Sequence, residues 1–276
     1  MSVSTRLAFI GGGNMASSLI GGLIADGWSP DAIHVSDPDP VRREALAARF
    51  GVHTGDDNSA AVQGARAVVL AVKPQVMRSV TEALAPAVQE NRPLVISVAA
   101  GIRIADLERW LGGELPVVRS MPNTPALVGS GATALCANPR VDEAGRELAE
   151  SLLRAVGIVI WLEEEALIDS VTALSGSGPA YVFLFIEALE EAGQELGLPA
   201  DQAHLLAVQT VFGAAKMALE RSESPAELRR QVTSPGGTTE RALAVLEEGG
   251  MRGLVLRALE AARLRARELA DELGGT

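Results

Sequence analysis

Residues 7–16 read Leu-Ala-Phe-Ile-Gly-Gly-Gly-Asn-Met-Ala. A short apolar run ends in glycines and passes into a helical pattern. Glycine has no side chain to hold a ligand off, so such a turn lets backbone approach a phosphate closely. The N–H groups that open the following helix are unpaired and carry the positive end of its dipole. A dinucleotide pyrophosphate is the usual occupant of that site. Glycine spacing alone is a common feature, so the reading depends on what surrounds it.

Outward from this turn, residues 6–10 read as a strand and residues 14–26 as a helix, with Met15, Leu19, Ile20, Leu23 and Ile24 at helical spacing and Gly27 as its stop. Residues 32–37 form a second strand that ends in Asp37, 21 residues beyond Ala16 and close to where a dinucleotide fold places its ribose-binding carboxylate. Strands at 67–72, 94–99, 116–121, 132–137 and 157–162 then alternate with helices at 41–50, 57–64, 75–88, 104–111 and 141–155. The run Ala-Val-Val-Leu-Ala-Val at 67–72 is apolar throughout, as a strand covered on both faces must be. This alternation predicts an α/β fold with a doubly wound parallel sheet.

Strand signals stop after Leu162, and residues 164–174, 179–196, 201–221, 226–232, 239–247 and 251–273 all carry helical periodicity. The expected division is a dinucleotide-binding domain over 1–163 and an all-helical domain over 164–276. The helix at 179–196 is apolar around most of its circumference, through Tyr181, Val182, Phe183, Leu184, Phe185, Ile186, Ala188 and Leu189. A helix apolar on all sides must be covered on all sides. One small helical domain cannot do that alone, which points to a homodimer.

Composition narrows the function classes. The 276 residues carry a net charge of −11, which disfavours a nucleic-acid partner. No stretch reads as the ~18 consecutive apolar residues of a membrane helix, and no basic-then-apolar leader opens the chain, so a cytoplasmic protein without a membrane partner is expected. The lone cysteine, Cys136, reads as a small buried apolar residue. His34, His53 and His204 lie far apart in sequence without metal-ligand spacing, and no metal site is expected.

In an open parallel sheet, ligands lie beyond the carboxyl ends of the strands. Those ends carry Gly11–Ala16, Ser36-Asp37-Pro38, Lys73-Pro74, Ala99-Ala100-Gly101 and Met121-Pro122-Asn123-Thr124-Pro125. Small residues and prolines there leave room for a flat cofactor. In the helical domain, Leu174–Pro179 and Thr233–Thr239 are rich in glycine and hydroxyls and lead into new helices. Each suits a carboxylate or phosphate; each could equally be an N-capped turn between helices. Of the 24 basic residues only Lys73 and Lys216 are lysine, so a strong base for alcohol oxidation is hard to find. A protonated imine needs none, because it accepts hydride directly.

Five segments in this order, Phe-Ile-Gly-Gly-Gly-Asn-Met-Ala (9–16), Ala-Val-Lys-Pro (71–74), Met-Pro-Asn-Thr-Pro (121–125), Leu-Ser-Gly-Ser-Gly-Pro-Ala-Tyr (174–181) and Ser-Pro-Gly-Gly-Thr-Thr (234–239), resemble the pyrroline-5-carboxylate reductase family. The resemblance implies a Rossmann-type domain followed by a helical dimerisation domain, and NAD(P)H-dependent reduction of L-1-pyrroline-5-carboxylate to L-proline, the last step of proline biosynthesis. It implies cofactor contacts from Ile10, Gly11, Gly12, Gly13, Asn14, Met15, Ser36, Asp37, Asn58, Ala71, Val72, Lys73, Pro74, Ala99, Ala100, Gly101 and Asn123. Ser234, Gly236, Gly237, Thr238 and Ser175 would hold the substrate. Thr239 and Thr172 would position the ring nitrogen or relay its proton. The implied assembly is a homodimer through the helical domain, with a decamer of five dimers as the larger form open to it.

Two positions depart from the family pattern. Asp37 stands where hydroxyls such as Ser or Thr often support NADPH, and its charge favours NADH; Arg42 and Arg43 are close enough in sequence to offset it, so both NADPH and NADH stay open. Gln231 replaces the Asn of some relatives and is given no role. The alternative chemistry is a β-hydroxyacid dehydrogenase, which requires a catalytic lysine in the helical domain, and Lys216 is its sole candidate. Lys216→Ala should therefore keep full reductase activity in a steady-state assay; loss of turnover would revive the dehydrogenase reading.

Overall fold

The structure, a computed structural model, describes residues 5–275. Its first part is one sheet of eight strands: β1 (Leu7–Ile10), β2 (Ile33–Ser36), β3 (His53–Gly55), β4 (Ala67–Leu70), β5 (Leu94–Ser97), β6 (Val117–Met121), β7 (Gly131–Ala137) and β8 (Gly157–Trp161). Helices α1 (Asn14–Ala25), α2 (Pro40–Phe50), α3 (Asn58–Val62), α4 (Pro74–Asn91), α5 (Ile104–Trp110) and α6 (Glu143–Arg154) connect them. The spatial order is β3-β2-β1-β4-β5-β6-β7-β8, so strand order reverses between β1 and β4. All four residues of β1 and of β4 are buried, because helices cover both faces of the sheet. Leu7 and Phe9 join one core with Leu19, Ile20 and Leu23 of α1, while Ala8 and Ile10 join the other with Met77 and Leu84 of α4.

The sheet is parallel from β3 to β6, whereas β7 runs antiparallel to β6 and β8 follows β7. The alternation of strands and helices did not reveal this reversal. Its cause is the connection: residues 122–130 between β6 and β7 hold only a short 3-10 turn, Thr124–Val128. A parallel crossover needs a dozen or more residues. The three-residue β3 was also invisible as a strand, being too short for any periodicity.

Beyond β8 the chain is helical: α7 (Leu167–Val171), α8 (Gly178–Glu195), α9 (Ala200–Glu220), α10 (Pro225–Gln231), α11 (Thr238–Glu248) and α12 (Met251–Gly274). Two compact units result, one holding the chain up to Ser177 together with the segment from Ala262, the other holding Gly178–Ala261. The sheet ends near the sequence boundary at 163, but α7 and the end of α12 pack with the sheet. Arg119 of β6 explains much of this. It is 3% exposed and always charged, so it must be paired. Its Nη1 donates to Glu165 Oε1 at 2.9 Å, and its Nη2 lies 3.8 Å from Asp169 of α7. Asp169 also faces Arg267 of α12 at 3.7 Å. Arg103 to Asp271 (2.7 Å) and Arg109 to the Gly274 carbonyl (2.7 Å) fasten the same helix end.

In the second unit α8 buries none of its residues, with Phe183 62% and Leu184 66% exposed. The expectation of a helix in need of outside cover is matched by this surface. By length and mean hydropathy alone residues 167–195 could also cross a membrane, although polar residues interrupt every apolar run within them.

At the sheet edge, His34 of β2 and His53 of β3 stack with ring centroids 4.6 Å apart. Burial, then the charge of Arg6 and then His53, push His34 down to about 4 from the ordinary 6.5. The unfolded chain therefore takes up the proton first. The neutral, stacked ring stabilises the fold fully above pH 6.5, and this contribution is lost as pH falls from 6.5 toward 4. Melting temperature should drop across that interval more steeply in the parent chain than in a His34→Gln variant; identical slopes in differential scanning calorimetry would exclude the effect.

Candidate functional site

A cleft of about 800 Å³ opens beyond the carboxyl ends of β1, β2, β4 and β5, at the reversal of strand order. The glycine turn forms its floor, and its three glycines meet three different demands. Gly11 has φ +99°, and a Cβ there would collide with the Ala71 carbonyl. A Cβ at Gly12 would have to displace the end of the Leu46 side chain of α2. Beside Gly13 nothing lies within 4 Å. That is the open side, where a ligand's backbone-hugging group fits. Gly13 caps α1 without a side-chain hydrogen bond, and no acid occupies the helix's first turn. Its free N–H groups face the cleft as an anion cradle. These features fit a dinucleotide pyrophosphate.

Asp37, 3% exposed, stands at the end of β2 and on the cleft wall. Its Oδ2 accepts the Gly12 N–H at 2.7 Å, and its Oδ1 accepts the Asp39 N–H at 2.9 Å. Arg42 approaches the same carboxylate at 3.7 Å. Arg43, the other arginine considered from sequence, is turned away: it donates to the carbonyls of Asp37 (2.7 Å) and Pro38 (3.1 Å) and lies 3.8 Å from Asp56. Arg49, one helical repeat beyond Arg42, lines the cleft instead. Heptad spacing on α2 could have singled it out, since positions seven apart share a helix face.

Of the residues named from sequence, Gly11–Met15, Asp37, Ala71–Pro74, Ala99 and Ala100 meet on this wall. Ile10 and Ser36 are buried within the strands behind it, and Asn58, Gly101 and Asn123 are not part of its lining. Asn123 is engaged at both ends: its Oδ1 accepts the Ala132 N–H (2.9 Å) and its Nδ2 donates to the Ser175 carbonyl (3.0 Å). Ser175 lies in a π turn, Thr172–Gly176, closed by the Ser177 N–H on the Thr172 carbonyl at 2.8 Å. Such turns are rare and cluster at functional sites. The Thr172 and Ser175 hydroxyls donate back to the carbonyls of Ile168 (2.8 Å) and Val171 (3.2 Å). This segment is therefore no capped interhelical turn.

In the second unit, Ser234–Gly237 form a tight turn closed by the Gly237 N–H on the Ser234 carbonyl at 3.0 Å, with Gly236 at φ +69°. Gly237 caps α11 without a side-chain hydrogen bond, so the Ser234 and Thr hydroxyls are not spent on capping. The Gly236 N–H donates to Glu240 Oε2 at 2.7 Å, a residue the sequence reading had not named. Lys216 is exposed and 3.7 Å from Glu220, one turn along α9.

Comparison with known proteins accords with this geometry. Residues 165–269 match the family described as pyrroline-5-carboxylate reductase dimerisation. Over 269 residues, covering 98% of both chains, the sequence is 53% identical to the pyrroline-5-carboxylate reductase of Pseudomonas aeruginosa. The chain belongs to the pyrroline-5-carboxylate reductase family. Residues 6–101 also match the family described as NADP oxidoreductase, coenzyme F420-dependent. The solved reductase of Coxiella burnetii superposes with a TM-score of 0.94 at 49% identity, over 97% of this chain and 99% of that one. The Plasmodium falciparum enzyme, solved with NADP bound, gives 0.84 at 30% identity over 96% and 98%.

As a member of this family of NAD(P)H-dependent oxidoreductases, the chain should show separable roles for its glycines. Gly13→Ala should leave the melting temperature within about 2 °C while weakening NAD(P)H binding roughly tenfold, the added methyl intruding only on the open side. Gly11→Ala should instead lower the melting temperature by several degrees, because alanine is strained at positive φ. Fluorescence titration of the reduced nicotinamide and thermal melts check both; a destabilised Gly13 variant would contradict the open-cradle assignment.

Proposed function

We propose that this chain reduces L-1-pyrroline-5-carboxylate to L-proline with NADPH or NADH. The observation that carries the reading is the 53% identity to a pyrroline-5-carboxylate reductase over 98% of both chains, on a structure whose glycine cradle is open. When bound in the cleft, the cofactor supplies the hydride that the imine carbon accepts. The first-turn N–H groups of α1 hold the pyrophosphate, and Ala71–Pro74, Ala99 and Ala100 border the dinucleotide. The turn at Ser234–Gly237 and the Thr238 and Thr239 N–H groups hold the substrate carboxylate at the start of α11. Asn58, Gly101, Asn123 and Ser36 act behind or beside the wall, shaping it. Ser175 belongs with the substrate-holding residues, and Thr239 and Thr172 are each assigned to the ring nitrogen or its proton. A protonated imine needs no base, so acceleration comes chiefly from orientation.

Asp37 bears on cofactor choice. Both of its oxygens accept backbone N–H groups, and Arg42 offsets its charge, so it deters a 2′-phosphate less than its sequence position implies. Arg42 and Arg49 on the cleft wall would receive that phosphate, and we read the enzyme as using both cofactors. The bound NADP of the Plasmodium falciparum relative supports this reading. The exposed apolar surface of α8 and the dimerisation match support a homodimer; a decamer of five dimers rests on the family resemblance alone. A partner subunit as the cover of those helices favours a cytoplasmic enzyme over a membrane-bound one.

Purified protein given the imine should consume both NADPH and NADH, and Thr239→Ala with Gly237→Val should cut imine turnover while leaving cofactor binding intact. Tight cofactor binding without turnover would refute the assignment. A double Arg42→Ala, Arg49→Ala variant should raise KM for NADPH roughly tenfold, with NADH changed less than about twofold. Equal shifts for the two cofactors would remove these arginines from the 2′-phosphate.

A further inference from the structure

The turn at Ser234–Gly237 is held by an acid. Gly236 sits at φ +69°, and its N–H donates to Glu240 Oε2 at 2.7 Å. Glu240 is the third residue of α11, from which a Glu side chain can reach back over the helix start. In a complete capping box a hydroxyl at the cap would answer it. Here the cap is Gly237 and contributes no side chain, so only the acid's half of the device is built. Its effect is to fix the backbone just before the cap. Among the described residues, the N–H groups of Thr238 and Thr239 then have no acceptor.

The arrangement carries an electrostatic cost. Arg229 and Arg230 share a shallow cavity with Glu240, but they pair with Glu247 at 3.1 Å and Glu227 at 3.8 Å. No cation within ion-pair reach neutralises Glu240 among the described residues. A carboxylate arriving at the Thr238 and Thr239 N–H groups meets a like charge within the same helical turn.

Resting on the proposed carboxylate site, we propose that Glu240 is a positioning residue for substrate binding: its hydrogen bond shapes the turn that receives the substrate carboxylate, and its charge opposes that carboxylate. Glutamine preserves the acceptor and removes the charge. Alanine removes both.

The test compares the imine carboxylate with 1-pyrroline, the same ring without its carboxylate, in parent, E240Q and E240A full-length enzymes. For the carboxylated imine, E240A should raise KM roughly fivefold and E240Q should hold it at or below the parent value, down to about threefold lower. In both variants kcat, KM for the cofactor and kcat/KM for 1-pyrroline should stay within about twofold of the parent. An unchanged E240A, an E240Q as impaired as E240A, or equal losses on 1-pyrroline would overturn the role. The underlying reading has its own signature of failure. A parent enzyme with equal KM for the two imines has no carboxylate site, and the role of Glu240 falls with it.

Discussion

The buried carboxylate of Asp37 joins three parts of the dinucleotide-binding half. Through Gly12 it holds the glycine turn, through Asp39 it holds the entry to α2, and by its own place it ends β2. Both bonds run from backbone N–H to a charged acceptor, the first buried and the second partly so, the class worth about 1.5–3 kcal/mol each. The anion cradle needs Gly11 and Gly13 in fixed orientation, and Asp37 supplies that from behind. An acid at this position is thus as much part of the scaffold as of any ligand contact.

A second constraint lies at the other end of the sheet. A charged guanidinium at Arg119 cannot be left unpaired in a core, and its partners come from segments distant in sequence. Glu165 also accepts the Ile104 N–H that opens α5 at 2.8 Å. One buried arginine thereby brings together β6, the start of α5, α7 and, through Asp169, α12. This is why the first compact unit extends past the last strand.

Much of this was legible in the sequence. The glycine turn, Asp37 and the apolar run at 67–72 carry period and position that survive without coordinates, and they gave the sheet and its ligand edge. The antiparallel β7 was hidden because strand direction depends on loop length and path, which periodicity does not record. Arg49 and Glu240 were missed for different reasons: Arg49 shares a face with Arg42 through heptad spacing that was not followed along α2, and Glu240 reaches back to the Gly236 N–H by a side-chain direction that only the folded backbone shows. Conversely, Arg43 is adjacent in sequence to the right place but points to the wrong carbonyls. Proximity along a helix says little about direction unless the spacing is three, four or seven.

Helix α12 starts in one compact unit and ends in the other. Its final residues, Asp271 and Gly274, bond to Arg103 and Arg109 across separations of 168 and 165 residues. A chain emerging from the ribosome would present all eight strands long before these partners exist. Ala270, fully buried in the finished fold, belongs to this late segment. The dinucleotide-binding half therefore lacks one of its walls until α12 has been made, and its folding is tied to completion of the helical segment that synthesis places in between.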